Sequence, residues 1–281
     1  MTVIQALTQS VDAVRRNPLL IGLSVAFALL QVPAVVAPQL APLVSVLLSL
    51  GASAVAVVVA PLVMGGMIAL GAESLDGDAR FGTFLQRARE HFLRLFVAYL
   101  LVVVVLSMIG IVGSLVGGVL ALLVGVSAAS AGLSTNATIF GTLLFAVGFS
   151  LLTVVPGFFV QFFGHAVVLD DKSVTESLTR SASLVWQNLS TVFGYFLVVS
   201  SVGVIAGVVG AVGSLVGSAP AVAALGLPEL STPVVVAAQV AGILVVGALS
   251  SLFWPFSVAV YTQIRDRTVD DDGPTADATL A

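Results

Sequence analysis

The chain of 281 residues is 59% hydrophobic and 9% charged, with a mean hydropathy of +1.17. An ordinary soluble domain carries roughly 25% charged residues, so the composition excludes a typical water-soluble enzyme and points to a membrane. Ten basic against fourteen acidic residues argue against a nucleic-acid partner, and the absence of cysteine excludes disulfides, thiolate chemistry and Cys-based zinc sites.

The first predicted element is an amphipathic helix with Val3, Leu7, Val11 and Val14 on one face and Gln5, Thr8, Asp12, Arg15 and Arg16 elsewhere. Thr2 to Gln5 fits the capping box that would start it. Residues 17–72 then hold no charged side chain. A spanning helix needs about 20 apolar residues, so the block predicts two spans, 18–37 and 43–71, turning near Pro33, Pro38 and Pro42. Arg15-Arg16 before an apolar run also opens export signals, but those carry one short apolar core. Here a second long apolar segment follows at once, so the pair reads as a cytoplasmic anchor.

A second amphipathic stripe comprises Phe81, Phe84, Ala88, Phe92 and Leu95, opposite Arg80, Arg87, Glu90 and Arg94. Residues 95–169 are again uncharged and predict spans 95–124 and 139–168, joined by the polar segment 125–138. In the third stripe, Val174, Leu178, Ala182, Val185 and Leu189 face away from Glu176, Thr179, Arg180 and Ser183. Ser173 to Glu176 reads as another capping box, and Glu176 with Arg180 as an i,i+4 ion pair. Residues 181–264 contain one charge, Glu229, and predict spans 190–217 and 234–263 around a loop at 218–233. The end of the chain, 270–281, reads as a disordered acidic tail.

The expected fold is therefore an all-α integral membrane protein with six transmembrane helices in three hairpins, each preceded by an interfacial amphipathic helix. In this plan every basic residue falls on one side, which the positive-inside rule makes cytoplasmic. Glu229 is the only charge left outside, both termini lie inside, and the location is the cytoplasmic membrane. Asn136-Ala137-Thr138 is an acceptor tripeptide on the outer side.

A repeat is also legible. GSLVG occurs at 113–117 and at 213–217, with Gly110 and Gly210 extending the match. Pro61, Pro156 and Pro255 hold comparable places in the second, fourth and sixth spans, where each is expected to kink its helix. Asn17, His91 and Asn188 each fall just before an odd-numbered span. The membrane domain, 1–269, divides into units of approximately 1–72, 73–169 and 170–269. Gly113 with Gly117, Gly203 with Gly207 and Gly213 with Gly217 read as small-residue surfaces for close helix approach.

Candidate chemistry is sparse. Intramembrane ionisable residues are costly and hence functional by default, and the spans offer only His165, with Gln161 one turn before it and Tyr261 and Gln263 at the matching part of the sixth span. These four form a candidate polar cluster, read first as a helix-pairing device. There is no paired carboxylate, no nucleophile beside a base in sequence and no metal-ligand spacing. Asp76-Gly77-Asp78 and Asp170-Asp171 read as solvated turns. No cofactor or metal is expected, and no enzymatic activity.

The segment SVTESLTRSASLVWQNLSTVFGY (173–195) and the ending Tyr261-x-x-x-Arg265-x-Arg267, set in a repeated pattern of interfacial helix and hairpin, resemble the membrane domain of glycerophosphoryl diester phosphodiesterase-like proteins and its prokaryotic relatives of unknown function. No soluble phosphodiesterase domain is attached, so the resemblance implies the membrane architecture and not that activity. One Lys against nine Arg and an acidic tail resemble haloarchaeal composition. The expected role is membrane organisation or assembly. Arg80, Arg87, Arg89 and Arg94 would meet the lipid bilayer, anionic lipids in particular, or a protein partner. Transport of a small or lipid-like substrate along the kinked spans is the alternative.

Overall fold

The computed structural model describes residues 2–37, 40–130, 148–150, 152, 154–216 and 231–271. Among them all regular structure is helical. Helix α1 (Val3–Arg16) leads into α2 (Pro18–Ala28), which continues through a 3-10 turn at Leu29–Gln31 into α3 (Val32–Val36). Then follow α4 (Pro42–Asp76), α5 (Phe81–Glu90) and α6 (Phe92–Ser130). Helical residues 154–160 precede α7 (Phe163–Leu169), and α8 (Val174–Gln187), α9 (Leu189–Val216), α10 (Thr232–Ser250) and α11 (Phe253–Asp271) complete the chain. Five helices are long and apolar enough to cross a membrane, or six if the pair α8 and α9, bent by 102°, counts as one span.

Local chemistry accounts for the element boundaries. Thr2 and Gln5 cap α1 reciprocally, Gln5 N–H donating to Thr2 Oγ1 at 3.3 Å and Thr2 N–H to Gln5 Oε1 at 2.8 Å. At α8 the Glu176 carboxylate turns back to accept from Ser173 N–H at 3.1 Å. The expected Glu176–Arg180 ion pair does not form among the described residues, because that carboxylate is committed to the cap.

The apolar segment Thr232–Thr268 breaks at Ser251–Leu252, and Pro255 stands in the first turn of α11. A proline ring clashes with the carbonyl four residues earlier, here that of Ser251, so the helix must restart just ahead of it. Pro61 lies inside the uninterrupted α4. The apolar segment Gly148–Leu169 breaks five residues beyond Pro156, at Gln161–Phe162, where a side chain from α8 enters the backbone ladder. Helix α11 runs to Asp271, two residues into the segment expected as tail, and the rest of that tail lies outside the described residues.

Packing is concentrated at one end. Residues 65–71 of α4, 162–168 around α7 and 255–261 of α11 are three uninterrupted buried runs, each placed shortly before a charged segment. Toward the other end, Leu43, Leu47 and Leu50 of α4 and Ile111, Leu115 and Leu122 of α6 are exposed. Apolar surface this continuous is unlike that of a soluble monomer, and hydrocarbon surroundings would accommodate it. At about 1.5 Å per residue the 35-residue α4 is roughly 50 Å long against about 30 Å of hydrocarbon, so its ends reach beyond the apolar layer.

The three short helices close the packed end in a cyclic order. Helix α5 packs on α4, α8 on α7, and α1 on α11, so two of the short helices cover the helix before them and the first covers the last helix of the chain. Buried positions in α1 (Ala6, Ser10, Ala13, Val14) and α8 (Ser177, Ser181, Leu184, Val185) share one spacing, a single helical stripe. Helix α6 follows α5 onto α4, and α2 lies on α10. Gly247 of α10 makes the last approach close, since a Cβ there would stand 2.7 Å from Ala28 Cβ and 3.2 Å from Val25 Cα.

Candidate functional site

The packed end gathers most of the polar chemistry of the described residues. His165 is buried on α7, its ring 5.3 Å from that of Tyr261 and 5.5 Å from that of Phe162. Tyr195 and Phe256 extend the stack, with Phe162–Tyr195 at 5.4 Å and Tyr195–Phe256 at 5.1 Å. The space around His165 is therefore filled by rings. Of the four residues expected to cluster, His165 and Tyr261 meet face to face. Gln161 sits at the break, its Nε2 buried without a hydrogen-bond partner, and Gln263, two positions beyond Tyr261, falls on a different side of α11.

A serine absent from the sequence-based expectation completes this contact. Ser257 Oγ lies 3.0 Å from His165 Nε2, and both groups are buried. Such a pair resembles a nucleophile beside its base, but the polarity is reversed. The Ser257 hydroxyl donates to Trp254 O at 2.9 Å, so its oxygen is left to accept from His165 Nε2–H. His165 Nδ1 has no hydrogen-bond partner. The arrangement joins α7 to α11 and offers no activated hydroxyl.

Just beyond it, the Asp170-Asp171 turn is a structural hub, in contrast to the solvated turn expected. Tyr261 OH donates to Asp170 Oδ2 at 2.6 Å and Arg265 Nη1 to Asp170 Oδ1 at 3.1 Å. Asp171 has φ of 51°, the left-handed region that Asp tolerates better than most side chains, and its carboxylate pairs with Arg94 of α6. His91 Nδ1 lies 4.0 Å from the same carboxylate. One short turn thus links α6, α7 and α11, and Arg267 Nη1 reaches Thr191 Oγ1 of α9 at 3.2 Å. Partners about 77 and 95 positions away leave no local sequence signal.

The joints between short helices and spans repeat one geometry. Asn17 N–H reaches Ala13 O and Val14 O, and Asn188 N–H reaches Leu184 O and Val185 O. Their side chains do likewise, Asn17 Nδ2 donating to Ala13 O at 2.9 Å and Asn188 Nδ2 to Leu184 O at 3.1 Å. His91 holds the corresponding place, its N–H donating to Arg87 O at 3.1 Å, and its Nε2 is buried without a partner. Asn17 also ties the turn after α4, with Nδ2 donating to Gly77 O at 3.2 Å and Oδ1 accepting from Ala79 N–H at 2.7 Å. Glu73 fixes the start of α5 by accepting from Arg80 N–H at 3.0 Å and Thr83 Oγ1 at 3.1 Å.

The four arginines expected to face headgroups are all exposed, but they are not equivalent. Arg94 is held by Asp171 and Arg87 by Glu90 at 3.2 Å, while Arg80 and Arg89 make no ion pair among the described residues. Among the glycines, Gly113 lies against the Phe149 ring, and Gly117 is buried. Gly203 and Gly207 have no described atom within 4 Å of where a Cβ would stand. Gly213 belongs to α9, its surroundings not described, and Gly217 lies outside the described residues, as do Asn136 and Glu229. Further close approaches occur at Gly66, against the Phe84 ring, and at Gly71, whose Cβ would stand 3.1 Å from Trp254 C and O. The Gly65-Gly66 pair and Gly71, five residues on within the same apolar run, are the signal that could have shown this.

Comparison with known proteins yields one match. A domain of unknown function, DUF7847, matches residues 1–264, and it carries no link to glycerophosphoryl diester phosphodiesterase or to haloarchaea. No curated protein and no solved structure matches the chain. Because the match covers nearly the whole sequence, the protein belongs to the DUF7847 family.

Proposed function

We propose that the protein is a non-enzymatic, membrane-organising component whose packed end forms a collar at the cytoplasmic face of the plasma membrane. In this reading the chain crosses six times in three repeated units, each a short interfacial helix followed by an outgoing and a returning span, with both termini inside. The carrying observation is the cyclic order of short helices over the three buried runs: α5 over α4, α8 over α7 and α1 over α11. Exposed Ile4, Phe81 and Trp186 on those helices suit a headgroup boundary, where apolar and aromatic side chains dip toward hydrocarbon. Kinship with the phosphodiesterase-like membrane domain and a haloarchaeal source belong to the same reading. They rest on residues 173–195, the Tyr261 to Arg267 ending and the arginine-rich composition alone.

Transport is the weaker reading. The unpartnered Gln161 Nε2 and His165 Nδ1 would suit a polar passenger, but aromatic rings fill the space beside His165. An intramembrane enzyme is weaker still, because the Ser257 hydroxyl proton is committed to Trp254 O.

Lipid selectivity tests the collar. A basic residue at an anionic surface contributes about 1 kcal/mol, so Arg80→Gln with Arg89→Gln should cut the preference for phosphatidylglycerol over phosphatidylcholine by roughly tenfold to thirtyfold at low salt. Arg94→Gln should cut it less, since Asp171 already occupies that guanidinium. An unchanged preference in the folded double variant would contradict headgroup binding by the collar.

A further inference from the structure

Helices α1, α4 and α11 enclose an open cleft of about 460 Å³. Gln9, Asp12 and Arg16, at i, i+3 and i+7 on α1, form one wall, and Asp76 on α4 and Thr262 on α11 face them. Ala72, Leu75, Val258 and Ala259 make the floor apolar. The volume is within the range of small-ligand sites, roughly 300–1,000 Å³.

The charges lining this cleft are not used by the fold. Neither Asp12, Asp76 nor Arg16 enters an ion pair among the described residues. Arg16 Nε turns to the backbone carbonyl of Asp12 at 3.4 Å, leaving the rest of the guanidinium to face the cleft. Asp76 ends the 35-residue α4, which has no basic residue in its last turn. The C-terminal end of a helix carries partial negative charge and favours cations, so a carboxylate placed there adds to an unmet demand for positive charge. The nearby Glu73 is served by Arg80 N–H and Thr83 Oγ1, whereas Asp76 has no such donor among the described residues.

We infer that this cleft binds a ligand carrying a protonated amine and a phosphate joined by a short hydrocarbon link. The ammonium sits between Asp12 and Asp76 at the end of α4. The phosphate lies on Arg16, whose planar guanidinium matches an oxyanion, and the link rests on Ala72, Leu75, Val258 and Ala259. This chemistry is that of an ethanolamine-type lipid headgroup and equally that of a free aminoalkyl phosphate. The site shares no residue with Arg80, Arg87, Arg89 or Arg94, so it stands apart from the collar's preference for anionic lipid.

Calorimetry on the purified full chain in detergent at low ionic strength tests the assignment, with O-phosphoethanolamine as the probe and phosphocholine, which has no N–H donors, as its match. Phosphoethanolamine should bind at least tenfold tighter. Asp76→Asn and Asp12→Asn should each weaken it at least tenfold without lowering the melting temperature, and Arg16→Gln should weaken both compounds. The same titration in nanodiscs separates the sources. Loss of binding in phosphatidylethanolamine discs but not in phosphatidylcholine discs assigns the site to the lipid headgroup, and equal binding in both assigns it to a soluble ligand. No preference for phosphoethanolamine in detergent, or full affinity in the folded Asp76→Asn variant, would overturn the inference. Arg80→Gln with Arg89→Gln should leave this binding unchanged, so failure of the collar and failure of the cleft are read separately.

Discussion

Ser181 of α8 fills the break at Gln161–Phe162: its hydroxyl accepts from Phe162 N–H at 3.1 Å and donates to Phe159 O at 2.9 Å. The serine and Phe162 are fully buried, and Phe159 is partly so. Membrane helices tolerate interruption only where such groups find new partners, so one side chain of α8 sets the shape of the helical segment that precedes it. Ser181→Ala should lower stability by about 1–3 kcal/mol by stranding the buried Phe162 N–H and removing a donor from Phe159 O. The exposed Ser183→Ala serves as control, and equal melting temperatures in detergent would contradict this role.

The equivalence of Asn17, His91 and Asn188 gives a second prediction. Asn17 and Asn188 each return a side-chain amide to the carbonyl four residues earlier, a bond that His91 does not make, and His91 Nε2 has no partner. His91→Asn should therefore keep or raise the melting temperature, unusual for a buried position, while His91→Leu should lower it. A clear loss in His91→Asn would argue against equivalent joints.

His91 also predicts a pH dependence. Burial lowers its pKa below the ordinary 6.5, outweighing the pull of Glu90 and Asp171, with Arg87 and Arg94 acting in the same direction as burial. The unfolded chain then binds the proton more readily, so stability is full above pH 6.5 and declines as pH falls from there toward the folded value. Melting temperature should drop on acidification through that window, and His91→Asn should flatten the slope. An identical slope in the variant would remove His91 as its source.

Glycines supply a fourth prediction. A methyl group at Gly71 would press on the backbone of Trp254 and Pro255, and one at Gly247 on Ala28 and Val25, where little can give way. Gly71→Ala and Gly247→Ala should each cost about 1–3 kcal/mol by overpacking. Gly203→Ala, facing open space, should be neutral or slightly stabilising through helix propensity. Equal effects at all three positions would contradict the close crossings.

What the sequence made legible follows from how far apart the interacting residues lie. Uncharged blocks marked the apolar helices, and the Thr2–Gln5 and Ser173–Glu176 boxes marked two helix starts, because those signals are local. Of the two breaks, only the one ahead of Pro255 was legible. Pro255 fixes one through a clash with Ser251 in the preceding turn, but the break at Gln161–Phe162 depends on Ser181, whose partnership arises only when α8 folds over α7. The meeting of His165 with Tyr261 could be anticipated from their matching depth in two spans, while Ser257 and the Asp170 hub could not. Glycine spacing was a partial guide: Gly113 of the first GSLVG string meets the Phe149 ring, while the close approaches at Gly66, Gly71 and Gly247, where a large ring or a backbone lies opposite, carry no such string.

The account stands on the packed end being the cytoplasmic surface, and accessibility in intact cells measures that directly. The chain has no native cysteine, so single engineered ones report without background. Gly82 on α5 is exposed with no atom within 4 Å of its Cβ position, and Thr232 at the start of α10 is exposed at the other end of its span. Gly82→Cys should stay unlabelled by an impermeant maleimide until the membrane is permeabilised, while Thr232→Cys should react in intact cells. Labelling of Gly82→Cys from outside, with Thr232→Cys protected, would contradict a cytoplasmic collar.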